Sequence, residues 1–273
     1  MCASFIVFLL VKCGLSFYKY LPESLRFDWW TYAYSNFNVS IKNLLSFSLH
    51  DIFFTQAFLP SVEYTGVYYI TNLWTMSVEF FGSLIVYIYF LITSNSRSRC
   101  SVYILSIIVF YLLNSYYIYF IAGIMFAEFY LLDLSKLLPS NKLCKYYPYI
   151  FDVISIAMLI FPASIIQDHR IYSICLVFAI MNSFIVKKLF ECPLSGLLGK
   201  LSFSLYLIHI PIIISFSSYM LLNYPGIVNS EKILFIGLPT VVISIILAII
   251  FYPIDKYSII LGKKIANVTL KQD

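Results

Sequence analysis

"TNLWTMSVEFFGSLIVYIYFLI" (Thr71–Ile92) decides the fold. From Leu73 onward it is apolar or hydroxyl-bearing almost throughout, with Glu79 as its one carboxylate. A helix rises about 1.5 Å per residue, so about 20 such residues cross the roughly 30 Å hydrocarbon core of a bilayer. The run is continuous and does not alternate with period two, which selects a helix over a barrel strand. A charge at that depth costs about 2.5–3.5 kcal/mol on insertion scales, so an acid there is expected to face a bundle interior, a cavity or a partner.

The rest of the chain has the same character. Its 273 residues are 61% apolar and 11% charged, with a mean hydropathy of +0.88. A soluble domain carries about 25% charged residues, so this chain has too few to cover a wetted surface. The expectation is an integral membrane protein, all-α, a single polytopic domain over 1–273. Eight spans are read, near 2–18, 71–92, 100–114, 116–132, 149–165, 171–186, 196–221 and 233–252. The third and fourth would make one helix of about 50 Å if joined, too long for one crossing, so a break is expected near Asn114.

Charge sets the orientation. Arg97, Arg99, Lys136, Lys142, Lys145, Lys187, Lys188, Lys200, Lys256, Lys263, Lys264 and Lys271 fall on one side of such a bundle. The other side has fewer: Lys19, Arg26, Lys42, Arg170 and Lys232. The richer side is cytoplasmic by the positive-inside rule, and it holds the C-terminus. The net charge of +5 is thereby a topology signal. No basic patch is interleaved with aromatics, so nucleic acid is not an expected partner. The six cysteines include no CxxC pair, and with only three histidines no metal site is expected. No charged leader with a cleavage site precedes the first apolar run, so no removable signal peptide is expected. The 19–70 connection carries Trp29 and Trp30, suited to the headgroup zone, and "NVS" at 38–40, a glycosylation sequon.

Two ionisable residues stand out. Entering its span at Thr71, Glu79 lies about 12 Å deep; entering from the opposite side near Leu197, His209 lies about 18 Å deep. Both reach a similar level of a 30 Å core, where a carboxylate and an imidazole suit acid–base work. Lys12 is a candidate to neutralise Glu79. Glu128 and Asp152 are expected near cytoplasmic span ends in reach of water. Asn114 and Asn182 are expected to join helices by hydrogen bonds. Ser77, Ser202 and Ser204 have no histidine near them in sequence and read as packing residues rather than nucleophiles.

"LWTMSVEF" (Leu73–Phe80) resembles the Leu-Trp-Ser/Thr-Leu-Ser-Val-Glu signature of the acyltransferase type 3 family. "LGKLSFSLYLIHIPI" (Leu198–Ile212) resembles that family's Leu-Gly-x-x-Ser-Tyr/Phe-Ser-x-Tyr-Leu-x-His-x-Pro stretch, and "FIAGIMFAEF" (Phe120–Phe129) its glycine-bearing span between the two. The resemblance covers nearly the whole chain. It implies a multi-span enzyme that moves an acyl group, often acetyl from an acyl-CoA co-substrate, onto a hydroxyl of a carbohydrate, lipid or small molecule. Glu79 and His209 are then the catalytic candidates. Trp74, Ser77, Ser202, Tyr206 and Lys12 are the substrate-cavity candidates, and membrane lipid surrounds the bundle.

Two departures are visible. Met76 replaces the usual Leu, and Asp255-Lys256-Tyr257 stands where the family has Glu-Lys/Arg-Pro. The family pattern also implies two further spans ahead of Met1, bearing a histidine and arginines. Without them the chain supplies a base but no intramembrane arginine for donor phosphates or a developing oxyanion. The competing readings are a proton-coupled transporter or flippase-like protein, with Glu79 and His209 as relay groups, and an inactive acyltransferase fragment. Internal repeats would favour transport, and the two halves of the sequence show none.

Overall fold

The computed structural model describes residues 2–26, 39–54, 69–94, 99–131, 146–161, 168–226 and 229–269. Trp29, Trp30 and Asn38, expected at the headgroup zone and in the sequon, lie outside them. The described residues are helical, with no strand among them. The labelled helices are α1 (Cys2–Lys12), α2 (Ile41–Ser46), α3 (Trp74–Thr93), α4 (Arg99–Leu112), α5 (Ile118–Leu131), α6 (Tyr147–Ile160), α7 (His169–Asn182), α8 (Ile185–Phe190), α9 (Pro193–Ile212), α10 (Ser218–Asn223) and α11 (Leu238–Thr269).

Among the described residues, three continuous helical stretches are long and apolar enough to cross a bilayer: Thr71–Thr93, Pro193–Asn223 and Ile233–Asn267. The other five expected spans are helices of 11 or 14 residues, about 16–21 Å long at 1.5 Å per residue. They fall short of the hydrocarbon thickness by themselves. The expected 2–18 helix stops at Lys12 because Gly14 turns left-handed, at φ 72°. There the Gly14 N–H donates to Val11 O (3.1 Å) and the Leu15 N–H to Leu10 O (2.8 Å), a Schellman closure. Asn114 closes α4 in the same way. Its φ is 53°, with Asn114 N–H to Tyr111 O at 3.1 Å and Ser115 N–H to Phe110 O at 3.0 Å. The expected break is present, and residues 99–131 hold two helices. Asn114 is a helix stop, not the interhelical hydrogen-bonding residue expected from its amide.

The chain gathers into two compact units, Met1–Ser77 with Leu197–Asp273, and Val78–Gly196, so the boundaries fall inside α3 and α9. The first unit has a core of Ala3 and Val7 from α1, Leu44 from α2, Phe47, Tyr69, Ile70 and Leu73, and Ile210 and Ile214 from the α9 stretch. Tyr69 is fully buried, and its hydroxyl donates to Ser40 O at 3.0 Å. Pro211 lies inside α9, where it cannot donate to Leu207 O, and a π-helical turn, Ile213–Ser217, follows.

In the second unit α4 packs on α5, α6 on α7, and α7 also on α5 and α8. Tyr103, Ile121 and Ile124 form a core packed by Ile85, Val86 and Tyr89 of α3. Gly82 admits the Phe120 ring, whose tip would clash with a Cβ at that position. Asp168 caps α7, accepting from the backbone N–H of Arg170 (2.9 Å) and Ile171 (3.4 Å). The Arg170 side chain, hydrogen-bonded to it, holds this carboxyl well below the usual carboxylate range. Arg170 also lies over the Tyr111 ring and donates to Tyr111 O, tying the start of α7 to the end of α4.

The outer surfaces are apolar. Leu91 is 78% exposed and Leu131 82%, with Leu112, Ile92, Leu105 and Ile250 also exposed. Such surface is costly in water and suited to lipid.

Candidate functional site

The two motif stretches meet in the first unit. Asn72 lies in the 3₁₀ turn Thr71–Leu73 that leads into α3, and its Nδ2 donates to Tyr206 O at 2.7 Å. In return the Tyr206 hydroxyl is bonded to Asn72 O, and it shares a 2.6 Å hydrogen bond with Thr75 Oγ1. An amide, a hydroxyl and a phenol thus clasp the start of α3 to the middle of α9. Where water is scarce such bonds are kept, because the alternative is an unsatisfied polar group.

The clasp leaves polar atoms over. Asn72 Oδ1, Thr71 Oγ1 and Ser204 Oγ are buried, with no hydrogen-bond partner among the described residues. A buried orphan of this kind calls for a reason, and a polar ligand is one of them.

His209 lies one turn beyond Tyr206, at residue three of an i, i+3 pair whose ring centroids are 6.1 Å apart. Its Nδ1 is 3.0 Å from Leu205 O. A carbonyl oxygen only accepts, so Nδ1 carries the proton of that bond and Nε2 is left as the basic nitrogen. The ring is half-buried. Helix geometry alone supplies this orientation, because residues four apart lie on one face.

The remaining candidates divide between the units. Glu79 belongs to the second unit; its side chain is exposed, and its backbone oxygen accepts from Ser83 Oγ at 2.8 Å. Lys12 is the last residue of α1, exposed and at the helix end where a cation is favoured by the dipole. Ser77 is 1% exposed, and its hydroxyl donates to Trp74 O at 2.9 Å. Ser202 is exposed and donates to Gly199 O at 2.8 Å. Both serines spend their protons on their own helices. Trp74 is half-buried at the first position of α3.

Three other expectations resolve in the second unit. Asp152 was expected to reach water and does not: it is 4% exposed. Its Oδ1 accepts from the backbone N–H of Ile185 (2.8 Å) and Val186 (3.0 Å) at the start of α8. Those unpaired helix-terminal donors draw the carboxylate inward. Glu128 pairs with Arg99 at 3.6 Å and accepts from the Tyr103 hydroxyl at 3.0 Å. Asn182 accepts from the Tyr147 hydroxyl at 2.7 Å, joining α7 to α6.

Reading the sequence did not single out Asn72 or Thr75. The available signal was their spacing, since an amide and a hydroxyl three residues apart at the mouth of an apolar run share one helix face. Among the described residues no group of three or more His, Cys, Asp and Glu side chains could hold a metal. No family model, curated protein or solved structure matches the chain.

Proposed function

We propose that the chain is a membrane-embedded O-acyltransferase of the type 3 kind, moving an acyl group such as acetyl from acyl-CoA to a hydroxyl of a carbohydrate, lipid or small molecule. The observation that carries this reading is His209, with Nδ1 committed to Leu205 O and Nε2 left basic beside a clasp that joins the two motifs. In the reaction Nε2 takes the acceptor's hydroxyl proton as that oxygen attacks the thioester carbonyl. A C–O bond forms, the C–S bond breaks, and the proton passes to the departing thiolate. Glu79 remains a catalytic candidate through its place in the motif it shares with the family. All eight apolar segments cross the bilayer in this reading, and the C-terminus is cytoplasmic.

Membranes containing the chain are expected to release CoA thiol from acetyl-CoA in the presence of a hydroxyl acceptor. His209→Gln should lower kcat by about 10²–10⁴, the usual contribution of a general base, while leaving the thermal midpoint of the purified protein unchanged. Equal turnover by wild type and variant would overturn the reading. So would His209-dependent proton uptake by vesicles without thiol release, which would favour transport.

A further inference from the structure

The second unit contains a cavity of about 960 Å³ framed by α5, α6, α7 and α8. One part of its wall is aromatic: Phe126, Phe129 and Tyr130 from α5, Phe178 from α7, and Phe184 ahead of α8. The Phe126 and Phe178 rings pack together at 5.3 Å. Lys187 and Lys188 also line it, with Glu191 as the one carboxylate among the described lining residues.

The fold places these lysines deliberately. Asp152, from within α6, grips the first N–H groups of α8. Ser183 Oγ accepts from the Lys187 N–H at 3.0 Å and donates to Ile180 O at 2.7 Å. The turn bearing both lysines is thereby fastened from below by a buried acid and a buried hydroxyl. Lys187 is only loosely engaged. Its ammonium is 5.4 Å from the Tyr130 ring centroid and 4.0 Å from the Glu191 carboxylate, which is 66% exposed. No salt bridge engages Lys188 among the described residues.

We propose that this cavity binds an anionic phospholipid, its phosphate held by Lys187 and Lys188 and an acyl chain laid along the aromatic wall. Two ammonium groups against one carboxylate leave a net positive rim, and a phosphate is the anion that basic pockets between membrane helices take. The rings have no use for a hydrated ion, and they suit the tail that a lipid phosphate carries. Lys187 and Lys188 also lie on the Lys/Arg-rich side of the chain, where anionic lipid is attracted. The inference rests on reading these helices as membrane spans.

The test uses the whole chain, equilibrated in phosphatidylcholine vesicles with and without phosphatidylglycerol, then extracted in detergent and examined by native mass spectrometry. Wild type should retain phosphatidylglycerol, and the double variant Lys187→Gln, Lys188→Gln should retain about tenfold less. Lys187→Arg with Lys188→Arg should keep the lipid, as should the control Lys263→Gln with Lys264→Gln. Equal retention by wild type and the double Gln variant overturns the proposal. Displacement of the lipid by millimolar inorganic phosphate or CoA also overturns it, in favour of a site for a soluble phosphate. Extraction of wild type from membranes by alkaline carbonate would instead overturn the span reading, a failure distinct from equal retention in a protein that stays embedded.

Discussion

Tyr206 does at one residue what a longer loop would otherwise have to do. Its hydroxyl meets Thr75 Oγ1 and the Asn72 backbone, while its own carbonyl takes the Asn72 amide. Tyr206→Phe keeps the ring packing and removes only the hydroxyl bonds. Its expected cost is about 1 kcal/mol, within the range measured for hydrogen bonds between membrane helices. The thermal midpoint of the detergent-solubilised protein would show the loss, and an unchanged midpoint would mean that the clasp is held by its backbone bond alone. Tyr206 was legible in the sequence through its motif. Its partners were not, because a hydrogen bond across 134 positions leaves no trace in spacing.

At the scale of elements, helix ends were harder to read than helix bodies. Apolar runs mark where a helix is favoured, but Gly14 and Asn114 decide where it stops, each by adopting positive φ. Asn is one of the few residues with a side chain that tolerates the left-handed region. Asn114→Gly is therefore expected to fold as well as wild type, while Asn114→Val should cost about 1–2 kcal/mol through strain in that turn. Parallel thermal melts of the two variants test this, and an indifferent Val variant would show that the α4 stop is set elsewhere. Asp152 carries the related lesson. Its place in an apolar run reads as a span end, yet it is buried because the first turn of α8 presents it with two backbone donors.

For the whole molecule, composition determines the solvent. An exterior with Leu91, Leu112 and Leu131 largely exposed suits lipid, and the orientation proposed for it rests on the Lys/Arg bias. A reporter fused after Asp273 should be active only when it is a cytoplasmic type. A periplasmic or lumenal type active there would reverse the orientation and move Lys187 and Lys188 to the opposite leaflet.

The sequence by itself determined the helical class, the break at Asn114 and the two motif stretches. These follow from local quantities: hydropathy over a window, the rise per residue and the conformational range of single residues. Only the tertiary structure decided that Asn72 and Thr75 hold Tyr206, that Asp152 fastens α8, and that two lysines line an aromatic cavity. Each depends on which distant groups meet once the helices pack. That is a property of the fold and not of any stretch of sequence.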